Sequence, residues 1–145
     1  MAASALQHFP ANGPLLLTDP NRLPGIVAAE ICRLNPAGAP DSAQVVVVGS
    51  VGRGVLADVR RLGFSVERLA GSSMFKTAAL VAQRRDYPEN IQIVSTDPAS
   101  GGAVAASWSA HTGDPTLLTE KELLPGATRQ AILNTKNAKI YVIGG

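Results

Sequence analysis

The chain contains one stretch of sequence twice, and this duplication limits the folds it can adopt more than any other feature. Residues 14–50 read PLLLTDPNRLPGIVAAEICRLNPAGAPDSAQVVVVGS, and residues 115–145 read PTLLTEKELLPGATRQAILNTKNAKIYVIGG. The offset is 115 − 14 = 101 at the first proline and 144 − 49 = 95 at the glycine closing the second apolar run, so the first copy has extra linker within residues 35–41. A repeated supersecondary unit is therefore expected.

The elements between the two copies predict an α/β fold. Short, almost wholly apolar runs are typical of strands buried on both faces of a parallel sheet, and apolar residues at helical spacing separate them. Six strands alternating with five helices predict a single layered domain over residues 1–145, Rossmann-like or flavodoxin-like, with a mainly parallel sheet flanked by helices. The predicted strands lie at residues 15–18, 45–48, 64–69, 91–95, 116–119 and 141–143.

Composition excludes several classes of protein. The 145 residues are 46% hydrophobic but only 4% aromatic, which predicts a core of Ala, Val, Leu and Ile. No stretch reaches the roughly 18 apolar residues of a membrane span. A net charge of +2 is too small to indicate nucleic-acid binding, whereas a pI near 9.0 leaves anionic partners possible. The single cysteine, Cys32, lies on an apolar helical face and is predicted to be in the core.

The first ten residues, MAASALQHFP, have no basic region followed by a long apolar core, as a signal peptide would. A cytoplasmic protein, a mature secreted form and a piece of a longer protein all fit this start.

A glycine-rich segment between two predicted strands suggests nucleotide binding. Gly49, Gly52 and Gly54 follow a strand, and Glu67 lies at the end of the next strand, 67 − 49 = 18 positions on. The order G-x-x-G-x-G differs from the dinucleotide fingerprint, however. Gly144 also closes the equivalent strand of the second copy, which favours a backbone requirement over a cofactor loop.

No other pattern indicates catalysis. The acidic residues near predicted strand ends have no spacing that pairs an acid with a base, and helix capping or loop contacts explain them. His8 and His111 have no metal-ligand pattern around them, and no serine lies in a G-x-S-x-G elbow. We therefore predict no catalytic residue, metal or cofactor. The acidic residues are Asp19, Asp97, Asp114 and Glu120.

The segment RLAGSSMFKTA at residues 68–78 is the strongest candidate for binding an anion. A strand ends beside Arg68, a glycine turn follows, and the backbone N–H groups of a predicted helix start lie near Lys76 and Thr77. Such a place attracts phosphate or carboxylate groups. In the alternative interpretation Ser72 or Ser73 only caps the helix, and Arg68 pairs with an acidic loop residue.

The order of these segments resembles the cell wall binding repeat type 2 family of Gram-positive surface proteins. The family's Val-Gly-Gly strand end, Val-x-Arg-Ile-Ala-Gly strand, Leu-Leu-Thr strand, Leu-Pro helix and Ile-Gly-Gly end correspond to VVVVGS, VERLAG, TLLT, LLP and IYVIGG here. The resemblance covers almost the whole chain. It divides the chain into the trailing half of one repeat (1–50) and one complete repeat (51–145).

The resemblance implies a parallel α/β fold and a non-enzymatic function at the cell surface. Modules of this family usually occur three to a protein around a pseudo-threefold axis and bind anionic wall polymers without covalent linkage. For this chain it implies an extracellular, wall-bound location and self-association, as a trimer or larger assembly. The candidate polymer-binding residues are Arg53, Arg68, Ser72, Ser73, Lys76 and Thr77.

Two departures from the family pattern keep other functions open. Residues 73–76 are Ser-Met-Phe-Lys where the family usually has Asp-Arg-Tyr-Glu, and residues 100–104 lack the aspartate of a Phe-x-Asp-Ala-Leu stretch. One alternative is a structural subunit that assembles through its half repeat without binding polymer. The other is a nucleotide-dependent enzyme that uses residues 49–67.

Overall fold

The computed structural model describes residues 1–38, 42–85, 88–97, 101–135 and 137–144. After an N-terminal 3-10 helix at Ala2–Gln7, α-helices and β-strands alternate strictly along the chain. This confirms the predicted α/β class. The elements are α1 (Gly25–Leu34), β1 (Val45–Val48), α2 (Arg53–Arg61), β2 (Val66–Leu69), α3 (Met74–Arg84), β3 (Asn90–Ser95), α4 (Gly102–Thr112), β4 (Thr116–Thr119), α5 (Gly126–Asn134) and β5 (Lys139–Ile143).

Every strand pair among the described residues is parallel, but the strands form two sheets where the sequence predicted one. β1 pairs with β2, from Val45 opposite Val66 to Val48 opposite Leu69. β3 lies between β4 and β5 in the second sheet. Helices connect the parallel strands, as such crossovers require.

The two copies of the duplicated sequence fold alike at the backbone level. α1 and α5 both begin after a proline in extended conformation, with ψ of 142° at Pro24 and 144° at Pro125. Gly49 after β1 and Gly144 after β5 both have positive φ, 96° and 145°. Such φ values favour glycine, so the glycine after each strand meets a backbone requirement, as the sequence indicated.

The duplication also extends further upstream than the sequence comparison suggested. The offset of 101 places residues 2–7 on residues 103–108, which makes the 3-10 helix the counterpart of part of α4. It places Asn12 on Gly113, and both have left-handed φ, 47° and 78°. The residues before the first copy therefore correspond to a shortened equivalent of α4 and its closing turn.

The predicted strand at residues 15–18 does not form. In the second copy the equivalent residues are β4, which pairs with β3. Residues 15–18 form neither helix nor strand, and among the described residues no strand pairs with them. The predicted strand at residues 15–18 is therefore wrong, although its apolar pattern matches that of β4.

The 3-10 helix connects the two sheets. Ala5 is fully buried in a cluster with Leu69 of β2 and Val81 of α3, and Leu6 packs against the same cluster. The core is aliphatic, as the composition predicted. Cys32 is an exception to the predictions because its side chain on α1 is exposed. No helix in the described parts of the chain has the length and hydropathy needed to cross a membrane.

Candidate anion-binding site

The candidate residues lie around the edge of the two-stranded sheet where its strands end. Because β1 and β2 are parallel, their carboxyl ends lie at the same edge, and α2 and α3 begin there after short loops. Arg53 is the first residue of α2, and Arg68 is in the last part of β2. Arg53 and the α3 residues thus lie at helix starts that follow the carboxyl ends of β1 and β2, and Arg68 lies one residue before the end of β2.

Hydrogen bonds fix the start of α3. Ser73, not Ser72, is the N-cap, and its Oγ accepts a hydrogen bond from the Lys76 N–H at 3.2 Å. The Thr77 hydroxyl donates to the Ser73 carbonyl at 3.0 Å and accepts from the Gly71 N–H at 3.0 Å. Ser72 lies exposed in the turn before the helix. These contacts hold Gly71, Ser73, Lys76 and Thr77 together.

Three cationic side chains of this region are exposed to solvent, on Arg53, Arg68 and Lys76. None of them takes part in an ion pair within the described parts of the chain, where the pairs are Arg33–Glu30, Arg61–Asp58 and Arg84–Glu67. The predicted alternative, in which Arg68 pairs with an acidic loop residue, is thus absent there. The first turns of α2 and α3 contain no acidic residue. No acidic side chain in those turns therefore reduces the positive potential of these cations and helix starts.

The start of α2 is less available than that of α3. The Gly52 N–H donates to the Pro20 carbonyl at 2.7 Å, and a Cβ on Gly52 would lie 3.1 Å from that oxygen. A Cβ added to Gly54 would lie 3.5 Å from the Asn21 carbonyl oxygen. The loop before α1 therefore packs against Gly52 and Gly54, whereas a Cβ on Gly49 would have no atom within 4 Å. Arg53 contributes an exposed side chain rather than a free helix start.

This packing does not favour nucleotide binding by residues 49–67. A dinucleotide loop uses its glycines to let the backbone approach a pyrophosphate, and here a carbonyl group takes that place. Glu67, the candidate ribose ligand, accepts a hydrogen bond from Arg84 Nε at 3.0 Å. Arg84 also donates to the Ser42 hydroxyl, so Glu67 belongs to a structural contact between β2 and α3.

A second polar cluster was not predicted from the sequence. Arg85, Glu89, Asn90 and Asp114 line a cleft of about 240 Å³. Asp114 is buried and accepts hydrogen bonds from Trp108 Nε1 at 2.8 Å and Asn90 Nδ2 at 3.4 Å. Burial lowers the pKa of the Arg85 guanidinium, and the nearby Asp114 charge opposes that shift.

The contacts of Arg85 indicate a structural role for this cluster. Its Nε donates to the Gly113 carbonyl at 2.9 Å and its Nη1 to the Phe9 carbonyl at 2.7 Å, which ties the N-terminal segment to the turn after α4. These partners are 28 and 76 residues away in sequence. No local spacing could have indicated the cluster.

The remaining predicted residues have ordinary contacts. Asp19 Oδ1 accepts from the Asn21 N–H at 2.8 Å, and the Asp97 N–H donates to Ser95 Oγ at 3.1 Å. In the described part of the chain, no three His, Cys, Asp or Glu side chains converge as metal ligands would. Ser100 and Gly145 lie outside the described residues.

Comparisons with known proteins agree with this architecture. Over 140 residues, 94% of the chain, the sequence is 25% identical to the N-acetylmuramoyl-L-alanine amidase LytC of Bacillus subtilis (strain 168) and covers 27% of that protein. Two solved structures from Clostridium difficile, Cwp6 and Cwp8, match 99% of the chain with TM-scores of 0.76 and 0.78. Both are 24% identical, and the chain covers 22% and 24% of them.

The fold and the repeated half unit define a parallel α/β repeat module. Residues 68–145 match the family described as cell wall binding domain 2 (CWB2), and the chain belongs to this family. The matched region includes Arg68, Ser72, Ser73, Lys76 and Thr77 but not Arg53. The chain spans about a quarter of the length of the relatives it matches, and its match to the amidase covers only that share of the enzyme.

Proposed function

We propose that this chain is a non-catalytic module that holds a protein at the bacterial cell surface by binding an anionic polymer of the cell wall. The contact is made at the carboxyl edge of the β1–β2 sheet, through Arg53, Arg68 and Lys76 and the N–H groups at the start of α3. Membership of the cell wall binding family supports attachment to the wall.

The observation that carries this proposal is the local charge at that edge. Arg53 on α2, Arg68 on β2 and Lys76 on α3 are exposed, and the first turns of both helices have no acidic residue. A helix start attracts an anion by its N–H groups and its dipole, and exposed cations add an attraction that salt weakens. Against the family pattern Asp-Arg-Tyr-Glu, residues 73–76 lack two acidic residues and one arginine and gain Lys76, a net gain of two positive charges.

The experiment is a pull-down with purified Gram-positive cell walls, either intact or stripped of their anionic polymer. We expect retention on intact walls, little retention on stripped walls, and weaker binding as salt increases. Equal binding to both preparations would rule out the polymer as the ligand.

Two charge-matched triple variants localise the contact. The first, Arg53→Gln, Arg68→Gln and Lys76→Gln, should weaken binding by about ten- to hundredfold, because three exposed charge contacts of about 0.5–1 kcal/mol each sum to about 1.5–3 kcal/mol. The second changes three exposed cations away from this edge to Gln: Arg60 near the end of α2, Arg129 on α5 and Lys139 at the start of β5. An equal loss in both variants would mean that net charge, not this edge, decides binding.

Self-association is a second candidate function, and it is favoured by the free edge of β5. β5 pairs with β3 alone among the described strands, and Val142 is 76% exposed and Ile140 46% exposed. An apolar edge strand of this kind readily pairs with another chain. A second copy that adds its own β5 would continue the sheet.

Sedimentation velocity over a range of concentrations tests this candidate. We expect Val142→Lys to reduce association, whereas Leu133→Lys on the exposed face of α5 should leave it unchanged. A chain that stays monomeric at the highest concentration would exclude self-association by this edge.

A further inference from the structure

The two copies of the duplicated sequence have very different surroundings. In the second copy Leu118 of β4 is 8% exposed, whereas its counterpart in the first copy, Leu17 (118 − 101), is 85% exposed. Ile26 of α1 is 82% exposed as well. The equivalent leucine is therefore buried in the second copy and exposed to solvent in the first.

The elements that bury the second copy are α3 and β3. Leu117 of β4 lies in one core cluster with Ala82 of α3 and with Ile91 and Ile93 of β3. Ala131 and Ile132 of α5 pack against this cluster, and β3 bonds along β4 with Ile93 opposite Leu117. A helix and a strand adjoining each other in sequence thus cover both β4 and α5.

The first copy has an open cleft at the corresponding place. Residues 15–18 and α1 form its walls, and it has a volume of about 610 Å³. The Glu30–Arg33 ion pair, with 2.7 Å between Arg33 Nη2 and Glu30 Oε1, lies on one side. The lining is otherwise apolar and comprises Leu16, Leu17, Ile26, Val27 and Ala29.

Among the described strands, β1 has one edge to which a covering strand could bond. Its counterpart β5 is bonded to β3, whereas β1 is bonded only to β2 among the described strands. A strand inserted between residues 15–18 and β1 would continue the existing β1–β2 sheet. It would convert residues 15–18 into a strand and give a sheet of four parallel strands.

We propose that this cleft binds the α3–β3 unit of another cell wall binding repeat. The fit follows from the second copy: residues equivalent to Ile93 and Val94 would lie opposite Leu16 and Leu17, and the counterpart of Ala82 would pack on the same cluster. An intact second copy of this chain is not the occupant, since its β3 already has β4 on one edge and β5 on the other. The occupant is a repeat whose β3 still has free edges.

The test supplies that unit to the whole chain. Residues 51–97, which contain α2, β2, α3 and β3, are joined ahead of Met1 through a flexible Gly/Ser linker. Hydrogen exchange of the amides of residues 15–18 is then compared between the extended and the unextended chain. We expect exchange at these residues to slow by at least about tenfold in the extended chain, because alternate amides of a parallel strand become bonded.

Two controls separate docking from a general effect of the added segment. The same extended chain with Ile91→Lys and Ile93→Lys in the added segment should show no slowing, because a lysine at those positions cannot enter the apolar cleft. Leu17→Asp should also abolish the slowing. Leu133→Asp, on the exposed face of α5, should not.

Two results would overturn the proposal. One is unchanged exchange at residues 15–18 in an extended chain whose native part keeps its unfolding midpoint. The other is slowing in the unextended chain as its concentration rises, which would identify a second copy as the occupant. Neither result depends on wall binding, so a failed pull-down would leave this proposal intact and a failed exchange experiment would leave the wall ligand open.

Discussion

Gly71 shows how closely single residues are fitted at the candidate site. A Cβ at this position would lie 2.4 Å from Lys76 Cγ and 2.8 Å from the Lys76 carbonyl carbon. The second distance involves backbone, so the start of α3 would have to shift. Gly126 at the start of α5 has no atom within 4 Å of the corresponding position.

These two glycines give a matched pair of substitutions. Gly71→Ala should lower the free energy of unfolding by about 1–3 kcal/mol, as overpacking does. Gly126→Ala should leave it unchanged or raise it by up to about 1 kcal/mol, because alanine reduces the entropy of the unfolded chain. Urea denaturation followed by Trp108 fluorescence measures both, and similar losses in the two variants would contradict the contact at Gly71.

Asp114 is a second position where one side chain interacts with several others. Asp114→Ala removes the acceptor of the Trp108 indole N–H and the negative charge beside Arg85. We expect a loss of about 1–3 kcal/mol in unfolding free energy and a changed Trp108 emission spectrum. Asp97→Ala, at an exposed position after β3, is the control and should stay within about 0.5 kcal/mol of the parent.

Residue-scale predictions from the sequence succeeded where the partners are local. The serine cap of α3 needs only the next few residues, and the sequence located it to within one position. Asp114 and Arg85 have partners far away in the chain, and Cys32 lies on a helix whose apolar face is only partly covered. Their environments depend on tertiary contacts that no local pattern contains.

At the scale of elements, the half repeat shows that an apolar run needs a neighbour to become a strand. Residues 15–18 read LLLT and β4 reads TLLT, yet only β4 has β3 beside it. The sequence predicted both as strands because the pattern is the same. It predicted the helices and the other strands, whose partners all lie within this chain.

Equivalent leucines of the two copies should therefore differ in their contribution to stability. Leu118→Ala should cost about 2–4 kcal/mol, because it leaves a cavity where the Leu118 side chain is buried. Leu17→Ala should cost less than about 0.5 kcal/mol, since its side chain is mostly in solvent. Thermal and urea unfolding of the two variants give the comparison, and equal costs would mean that residues 15–18 are packed in solution.

At the scale of the whole molecule, the 3-10 helix connects two sheets that share no strand. Ala5 contacts the β1–β2 side through Leu69 and the second sheet's helix layer through Val81. The duplication and the alternation of elements predicted the parallel architecture. The division into two sheets could not be predicted, because strand order depends on which pairings the incomplete first copy leaves unfilled.

A charge at Ala5 tests whether the two sheets unfold together. Ala5→Glu buries a carboxylate without a partner and should lower the unfolding free energy by about 3 kcal/mol or more. If the molecule is one cooperative unit, circular dichroism and Trp108 fluorescence will report the same lowered midpoint. Ala11→Glu, at an exposed position, should have little effect, and separate transitions in the Ala5 variant would show that the sheets unfold independently.

The central position of β3 has a consequence for the order in which a growing chain folds. In the β1–β2 pair residue 45 lies opposite residue 66, a separation of 66 − 45 = 21. In the β3–β5 pair residue 90 lies opposite residue 139, a separation of 139 − 90 = 49. Because closing the longer loop costs more entropy, we expect the N-terminal sheet to form first during synthesis. One edge of β3 then stays open until β5 has emerged from the ribosome. In pulse-labelling experiments, amides of β2 should gain protection before those of β3 that bond to β5.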